Sequence, residues 1–355
     1  MLIAAGGTAG HVMPALAVAG ALRARGAEVG FIASGRGAAA GLVAAAGFPE
    51  DRVPMRGLER RLTLRNLAAL GLAAAAVPRA ARAIRRRRAD VVVGAGGYAA
   101  GPAALAAWCL RRPVVLMEAD AHLGMANRLV APLARRVALA FPLEGRAGGR
   151  YLVTGRPVGP QVAAASRAAG RRALGVDPDA TCVLIAGGSQ GARTLNRAAV
   201  EAFGDGPPFE LVHVAGPAQV DEVRGMLEGR DPGPRYRLVG YLDDYPGAIA
   251  AADLVVSRSG GSVFEIAAIG RASVLVPYPH ATADHQTKNA RWLADAGAAV
   301  LIPDAELTGA RLRAVVEDLL ADGGRREHMA AAARALGRPD AADRVADAVL
   351  EAAGR

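Results

Sequence analysis

Two cysteines, a single lysine and 4% aromatic residues are the scarcities of this 355-residue sequence. Cys109 and Cys182 each lie in an apolar run, with no Cys-x-x-Cys spacing and no Cys/His cluster, so both read as buried free thiols and no metal centre is expected. The few aromatics are not interleaved with basic residues, and no nucleic-acid reader module is recognisable, so the net charge of +10 does not point to nucleic acid. Long hydrophobic runs are missing too. The longest, Leu67–Val77 and Ala99–Leu110, fall short of the ~20 residues that a spanning helix needs. The start lacks a basic n-region and a cleavage site, so it does not read as a signal peptide. A cytoplasmic protein, peripheral on the membrane, is expected.

What is present is alanine, glycine and arginine, with 52% hydrophobic residues, which suits helix-on-sheet packing and excludes disorder. The charge, almost all arginine, favours anionic lipid or phosphorylated partners. Short apolar runs alternate with helical patterns along both halves, as in Val29–Ala33, Val91–Val93, Val114–Met117, Val183–Ala186, Leu254–Ser257 and Val274–Pro277. Such runs predict parallel strands covered on both faces. The helices are expected over Val12–Arg25, Ala38–Ala46, Thr63–Arg88, Ala103–Leu110 and Met125–Leu133, and again from about Arg193. Tyr151–Pro160, punctuated by Gly155, Pro157, Gly159 and Pro160, reads as a boundary. The fold class is therefore α/β, with two doubly wound, Rossmann-like parallel-sheet domains.

Each half opens on the same unit. Ile3-Ala4-Ala5-Gly6-Gly7-Thr8-Ala9-Gly10 resembles Leu184-Ile185-Ala186-Gly187-Gly188-Ser189-Gln190-Gly191, in both cases an apolar strand entering a glycine turn and then a helix. Such turns let main-chain N–H groups approach an anion at a helix N-terminus. A third turn, Gly94-Ala95-Gly96-Gly97-Tyr98, makes a passable dinucleotide fingerprint with Ala99 and Glu118, but it follows the fourth strand rather than the first. His11 stands at the start of a helix, where imidazolium is disfavoured and a neutral base is favoured. Ser262 and Glu265 have the spacing of a capping box; a carboxylate on a ribose diol is the other reading of Glu265. Asp284–Asn289 opens a further helix with groups suited to sugar hydroxyls, and Asp243-Asp244 reads as a loop or a helix cap.

The blocks Gly6–Ala17, Val92–Pro102, Gly187–Asn196 and Arg258–Glu265, in this order, resemble the MurG family of peptidoglycan N-acetylglucosaminyltransferases from the first residue to about Asp304. The resemblance implies the GT-B architecture, with the two domains facing a cleft. Residues 1–155 would bind acceptor and membrane, 160–335 would bind the UDP-sugar, and 336–355 would pack back on the first domain. It also implies inverting transfer of N-acetylglucosamine from UDP-N-acetylglucosamine to the 4-hydroxyl of an undecaprenyl-diphosphate-linked muramyl-pentapeptide, with UDP as leaving group. His11 would be the catalytic base. The donor would meet Thr8, Ala9, Gly10, Asp120, Arg156, Ser189, Gln190, Gly191, Leu242, Gly261, Ser262, Glu265, His285 and Gln286. Within that set Ser189 falls on the diphosphate, the backbone near Leu242 on uracil, Glu265 on the ribose, and Gln286 with His285 on the sugar hydroxyls. The acceptor would meet Thr8, His11, Tyr98, Glu118 and Asn127.

No cofactor is implied, and no metal-binding Asp-x-Asp motif is required. The alternative function is UDP-sugar transfer to another lipid or small-molecule acceptor. Three departures from the family pattern stand out, one of them a glycine turn before Glu265 that is one residue shorter than the commonest version. Glu118-Ala119-Asp120 replaces Glu-Gln-Asn, and Thr154-Gly155-Arg156-Pro157-Val158-Gly159 replaces Thr-Gly-Asn-Pro-Val-Arg. Leu62–Arg88, with Leu62, Leu64, Leu67, Leu70 and Leu72 ahead of Arg79, Arg82 and Arg85–Arg88, is the candidate segment for an anionic membrane surface on the cytoplasmic side.

Overall fold

The apolar runs become the strands of two parallel sheets, because a strand covered on both faces needs apolar residues at every position. The computed structural model describes residues 1–6, 9–34, 41–55, 64–146, 148–188 and 191–355, and of Ala9, residues 64–70 and Thr282 only the backbone. The chain divides into two compact units, Met1–Gly159 joined by Asp340–Arg355, and Pro160–Pro339.

The first unit runs β1 (Leu2–Ala4), α1 (Ala9–Ala24), β2 (Gly30–Ala33), α2 (Leu42–Ala45), β3 (Glu50–Arg52), α3 (Leu64–Arg86), β4 (Val92–Gly94), α4 (Gly97–Cys109), β5 (Val114–Glu118), α5 (Met125–Val130), β6 (Arg136–Leu139) and β7 (Tyr151–Val153). Its strands are ordered β3-β2-β1-β4-β5-β6-β7, all parallel. The second unit runs α6 (Pro160–Ala164), α7 (Arg167–Leu174), β8 (Cys182–Ala186), α8 (Arg193–Phe203), β9 (Glu210–Val214), α9 (Val220–Leu227), β10 (Tyr236–Val239), α10 (Tyr245–Ala251), β11 (Leu254–Ser257), α11 (Ser262–Ile269), β12 (Ala272–Leu275), α12 (His285–Ala294), β13 (Ala299–Leu301), α13 (Gly309–Ala321) and α14 (Gly323–Leu336). Its order is β10-β9-β8-β11-β12-β13. Both sheets thus carry the doubly wound pattern, with the first strand central and the winding reversing beside it.

Side chains alternate across each strand. In the first unit Ile3, Phe31 and Val93 face one layer with Val12, Ala15 and Val18 of α1. Leu2, Ile32 and Val92 face the other with Ala80 and Ile84 of α3 and Ala103 of α4. The last helix, α15 (Ala341–Ala352), belongs to the first layer: Val345, Ala346, Val349 and Ala352 are buried there against α1. Arg25–Asp343, Arg25–Asp347 and Arg136–Glu351 pairs rim that contact, but they are exposed and add little.

Several local expectations are corrected. Tyr151–Val153, read as part of a boundary, is an edge strand on β6. Helix α4 begins at Gly97, six residues before the expected Ala103, because buried alanines from Ala99 onward carry it through Gly101 and Pro102. Cys109, expected buried, ends α4 on its exposed side beside Trp108; Cys182 is buried as expected. Of the helix expected at Ala38–Ala46, only Leu42–Ala45 lies among the described residues as helix.

Candidate active site

Loops that leave the carboxyl ends of two neighbouring strands in opposite directions open a crevice, and in such sheets that is where ligands bind. In the first unit these strands are β1 and β4. The turn after β4 is built on glycine for a steric reason. Gly97 has φ +69°, and a Cβ there would lie 2.2 Å from the Gly6 carbonyl oxygen, at the end of β1. Gly96 has φ +89°, and its Cβ would lie 2.6 Å from Cδ2 of His11. The imidazole therefore lies against the β4–α4 turn, and any side chain at Gly96 would displace it. The sequence placed His11 and this turn in separate motifs; the sheet order brings them into contact.

The surroundings of His11 act on its proton. Burial lowers its pKa below the ordinary imidazole value, the nearby Arg156 charge lowers it further, and Asp120 opposes both. Arg156 Nη2 donates to the Gly10 carbonyl oxygen at 2.7 Å, which seats the guanidinium at the first turn of α1. Asp120 is presented by the turn after β5, and Glu118 holds that turn. The Glu118 carboxylate accepts from Asp120 N at 3.1 Å, Gly124 N at 2.8 Å and Asn127 Nδ2 at 2.9 Å. Asn127 also donates to the Met117 carbonyl oxygen at 2.9 Å. Burial raises the Glu118 pKa, while the three N–H donors pull the other way. Gly10, Glu118, Ala119 and Arg156 line one small recess. Tyr98, on the first turn of α4, meets Ser34 Oγ through its hydroxyl at 3.2 Å.

Replacing Gly96 by Ala should cost turnover heavily. The added methyl meets His11, the expected base, and a shift of about 1 Å in such a group costs about 10²-fold. Single-turnover rates of Gly96→Ala, alongside its nucleotide affinity, check this. Unchanged turnover would mean that the imidazole position is immaterial.

In the second unit the corresponding strands are β8 and β11. Gly191 has φ +72°, and its N–H donates to the Gly188 carbonyl oxygen at 3.0 Å, closing a tight turn ahead of α8. Among the described residues no side chain caps α8, and its first amides have no partner within the helix. After β11, Arg258 anchors the second loop. Its buried guanidinium pairs with Asp304 at 2.6 Å and donates to Thr194 Oγ1 at 2.6 Å and to the carbonyl oxygens of Val276 and Pro277. Ser259 Oγ donates to the Gln286 carbonyl oxygen at 2.7 Å, Asn289 Nδ2 donates to the Ser259 carbonyl oxygen, and Gln286 Oε1 accepts from Tyr278 N at 3.0 Å.

The capping box expected at Ser262 and Glu265 is not formed. Ser262 is the first residue of α11 rather than its cap, and its hydroxyl donates to the Arg258 carbonyl oxygen. Glu265 sits half-buried in the first turn of α11, with His285 and Gln286 opening α12 and Leu242 in the loop after β10. Asp244 does act as a cap, accepting from Gly247 N at 2.9 Å.

The expected residues thus fall into two groups. Gly10, His11, Tyr98, Glu118, Asp120, Asn127 and Arg156 belong to the first unit, and Gly191, Leu242, Gly261, Ser262, Glu265, His285 and Gln286 to the second. Thr8, Ser189 and Gln190 lie outside the described residues, as does the Ala9 side chain. The Arg258–Asp304–Thr194 anchor was not legible beforehand, since its members come from three elements with no shared spacing.

The chain matches the models of the glycosyltransferase family 28 N-terminal domain over residues 1–139 and of the family 28 C-terminal domain over residues 182–345. It is 39% identical to the UDP-N-acetylglucosamine–N-acetylmuramyl-(pentapeptide) pyrophosphoryl-undecaprenol N-acetylglucosamine transferase of Desulforudis audaxviator, with 100% of this chain and 99% of that protein covered. The protein of the same name from Halorhodospira halophila is 43% identical, with 99% and 98% covered. The crystal structure of MurG from Acinetobacter baumannii is similar at a TM-score of 0.79 and 31% identity over 99% of each chain.

Proposed function

Because the chain belongs to the MurG family of glycosyltransferases, within glycosyltransferase family 28, we propose that it moves N-acetylglucosamine from UDP-N-acetylglucosamine to the 4-hydroxyl of an undecaprenyl-diphosphate-linked muramyl-pentapeptide. The observation that carries this reading is identity above a third, over the full length, with relatives named for that transfer.

The geometry supplies parts that suit the chemistry. The first unit carries the acceptor side. His11, kept neutral by burial and by Arg156, takes the proton of the attacking hydroxyl. Tyr98 and the turn that Glu118 and Asn127 hold line the same face, and Thr8 is assigned there by the family motif. The second unit carries the donor side. The Gly188–Ala192 turn and the start of α8, with Ser189 and Gln190, receive the diphosphate and stabilise it as it leaves. Glu265 takes the ribose, the backbone near Leu242 the uracil, and Gln286 with His285 the sugar hydroxyls. Charge on the leaving diphosphate is met by main-chain N–H groups and a helix N-terminus, so the reading calls for no resident cofactor or metal. Incubation with UDP-N-acetylglucosamine and a lipid-diphosphate muramyl-peptide analogue should yield the disaccharide. Turnover with diacylglycerol or a small aglycone in its place would overturn the acceptor assignment.

The acceptor is a lipid, so the protein works at a membrane surface. No helix among the described residues is long and apolar enough to cross one. The side chains of Leu64, Leu67 and Leu70, and all of Leu62, lie outside the described residues, whereas Leu72 is exposed. Apolar side chains are exposed as well on α4 and α5. Leu105 and Trp108 of α4 and Met125 and Leu129 of α5 are exposed, Leu129 at 71%, and α4 packs against both α3 and α5. Arg79, Arg82, Arg85 and Arg86 stand exposed on α3. Apolar side chains beside arginines suit the cytoplasmic, anionic leaflet. The double variant Trp108→Ser, Leu129→Gln should lose most of its co-sedimentation with anionic vesicles while retaining UDP affinity. Binding that ignores both the variant and the anionic lipid content would remove this face from the role.

A further inference from the structure

A buried polar chain runs behind the Gly188–Ala192 turn. His213, in the middle of β9, is 0% exposed, although its neighbours in the strand are apolar. Its Nδ1 lies 2.7 Å from the hydroxyl of Tyr236 on β10, and its Nε2 lies 3.0 Å from Oδ1 of Asn196 on α8. Asn196, 1% exposed, donates through Nδ2 to the Ala215 carbonyl oxygen and to Gln219 Oε1, both at 2.9 Å. With Nδ2 giving both protons away, Oδ1 is left as an acceptor. His213 must then donate from Nε2 and accept from Tyr236 at Nδ1. Every side-chain polar atom of His213 and Asn196 thus has an assignable role.

The chain ends on the turn itself. A Cβ on Gly191 would lie 2.3 Å from the Ala215 carbonyl oxygen and 2.8 Å from Gln219 Nε2. The two groups that Asn196 holds are therefore the two against which Gly191 is pressed. Nothing in the fold alone calls for a buried histidine here, since the flanking Val212 and Val214 show what the strand otherwise contains. Burying polar groups is costly unless each is satisfied, and once satisfied they fix one arrangement.

We propose that His213, Asn196 and Gln219 are positioning residues for donor binding: their hydrogen-bond chain fixes Gly191, and with it the entry to α8, in the pose that receives a nucleoside diphosphate. The inference rests on the reading that this turn receives the diphosphate. The chain meets the turn at Gly191, through Ala215 and Gln219, so its effect should fall on the phosphates.

The test compares UDP with uridine on the full-length protein, by calorimetry for UDP and by displacement of UDP for uridine. Gln219→Ala, which is half-buried and removes the last link, and Asn196→Asp, which keeps Oδ1 but loses the donor, should each weaken UDP about tenfold, the scale of one well-placed hydrogen bond. Uridine affinity should stay within about twofold. His213→Gln should behave likewise; where it folds poorly, the other two variants carry the result. Wild-type affinity for UDP in the Gln219 and Asn196 variants would overturn the proposal. So would equal losses for UDP and uridine, which would mark general loosening. A wild-type protein that ignores UDP would instead sink the donor reading itself.

Discussion

His11→Ala is expected to lower turnover by about 10²-fold or more, the range over which a positioned general base contributes. The nucleotide should still bind, because most of the residues assigned to it, Gly191, Leu242, Glu265, His285 and Gln286 among them, belong to the other unit. The loss should appear in kcat, with KM for the donor nearly unchanged. The pH profile gives the same group a second signature. Since burial and then Arg156 lower the His11 pKa, the basic form persists as pH falls through the ordinary imidazole range near 6.5. The acid limb of kcat/KM should therefore lie below that value. Arg156→Gln removes a lowering influence and should move the limb up, whereas Asp120→Asn removes a raising one and should move it down. Limbs that move together, or an Ala variant with near-normal turnover, would take His11 out of the role of base.

Arg258→Met should be the most destabilising substitution in the loops after β8 and β11. It leaves the Asp304 carboxylate, 13% exposed in its side chain, without its ion pair, and strips the donor from two buried carbonyl oxygens. Breaking one partner of a buried pair costs about 3–5 kcal/mol. At about 2–4 °C per kcal/mol for a body of this size, the second unit should melt roughly 6–20 °C lower. Arg258→Lys should recover little, since one ammonium cannot serve acceptors spread over the plane that a guanidinium spans. The double variant Arg258→Met, Asp304→Leu should recover part of the loss, because the orphaned charge has gone with its partner. Calorimetric scans of the set decide this. A single variant that melts within 2 °C of wild type, on the order of half a kcal/mol or so, would show the anchor to be dispensable.

The alternation of strand and helix was legible because a strand buried on both faces is apolar along its length: β1 and β8 are so throughout, and β5 and β11 up to their last residues, Glu118 and Ser257. The matched glycine turns were legible for a similar reason: an unusual backbone demands an unusual residue. The misreadings come from the same rules. Gly97, Gly101 and Pro102 look like punctuation, yet alanines on the core side of α4 outweigh them. Tyr151–Val153 is short, partly exposed and hemmed by glycines, so pattern alone cannot separate an edge strand from a linker. At the site, residues close in sequence were found, and those brought together only by sheet order were not. His11 against Gly96, Arg258 against Asp304, and His213 through Asn196 to Gln219 each join different elements, and no spacing announces them.

The placement of α15 in the first layer has a bearing on how the chain is made. The amino-terminal body is discontinuous: a core wall that Ile3 and Val12 help to build is completed by residues numbered above 340. During synthesis the middle body can close on itself once Pro339 has emerged, whereas the earlier-made one keeps an apolar groove open until α15 has followed. The body begun earlier is thus finished after the one begun later, and through that interval the apolar seat of α15 stays uncovered.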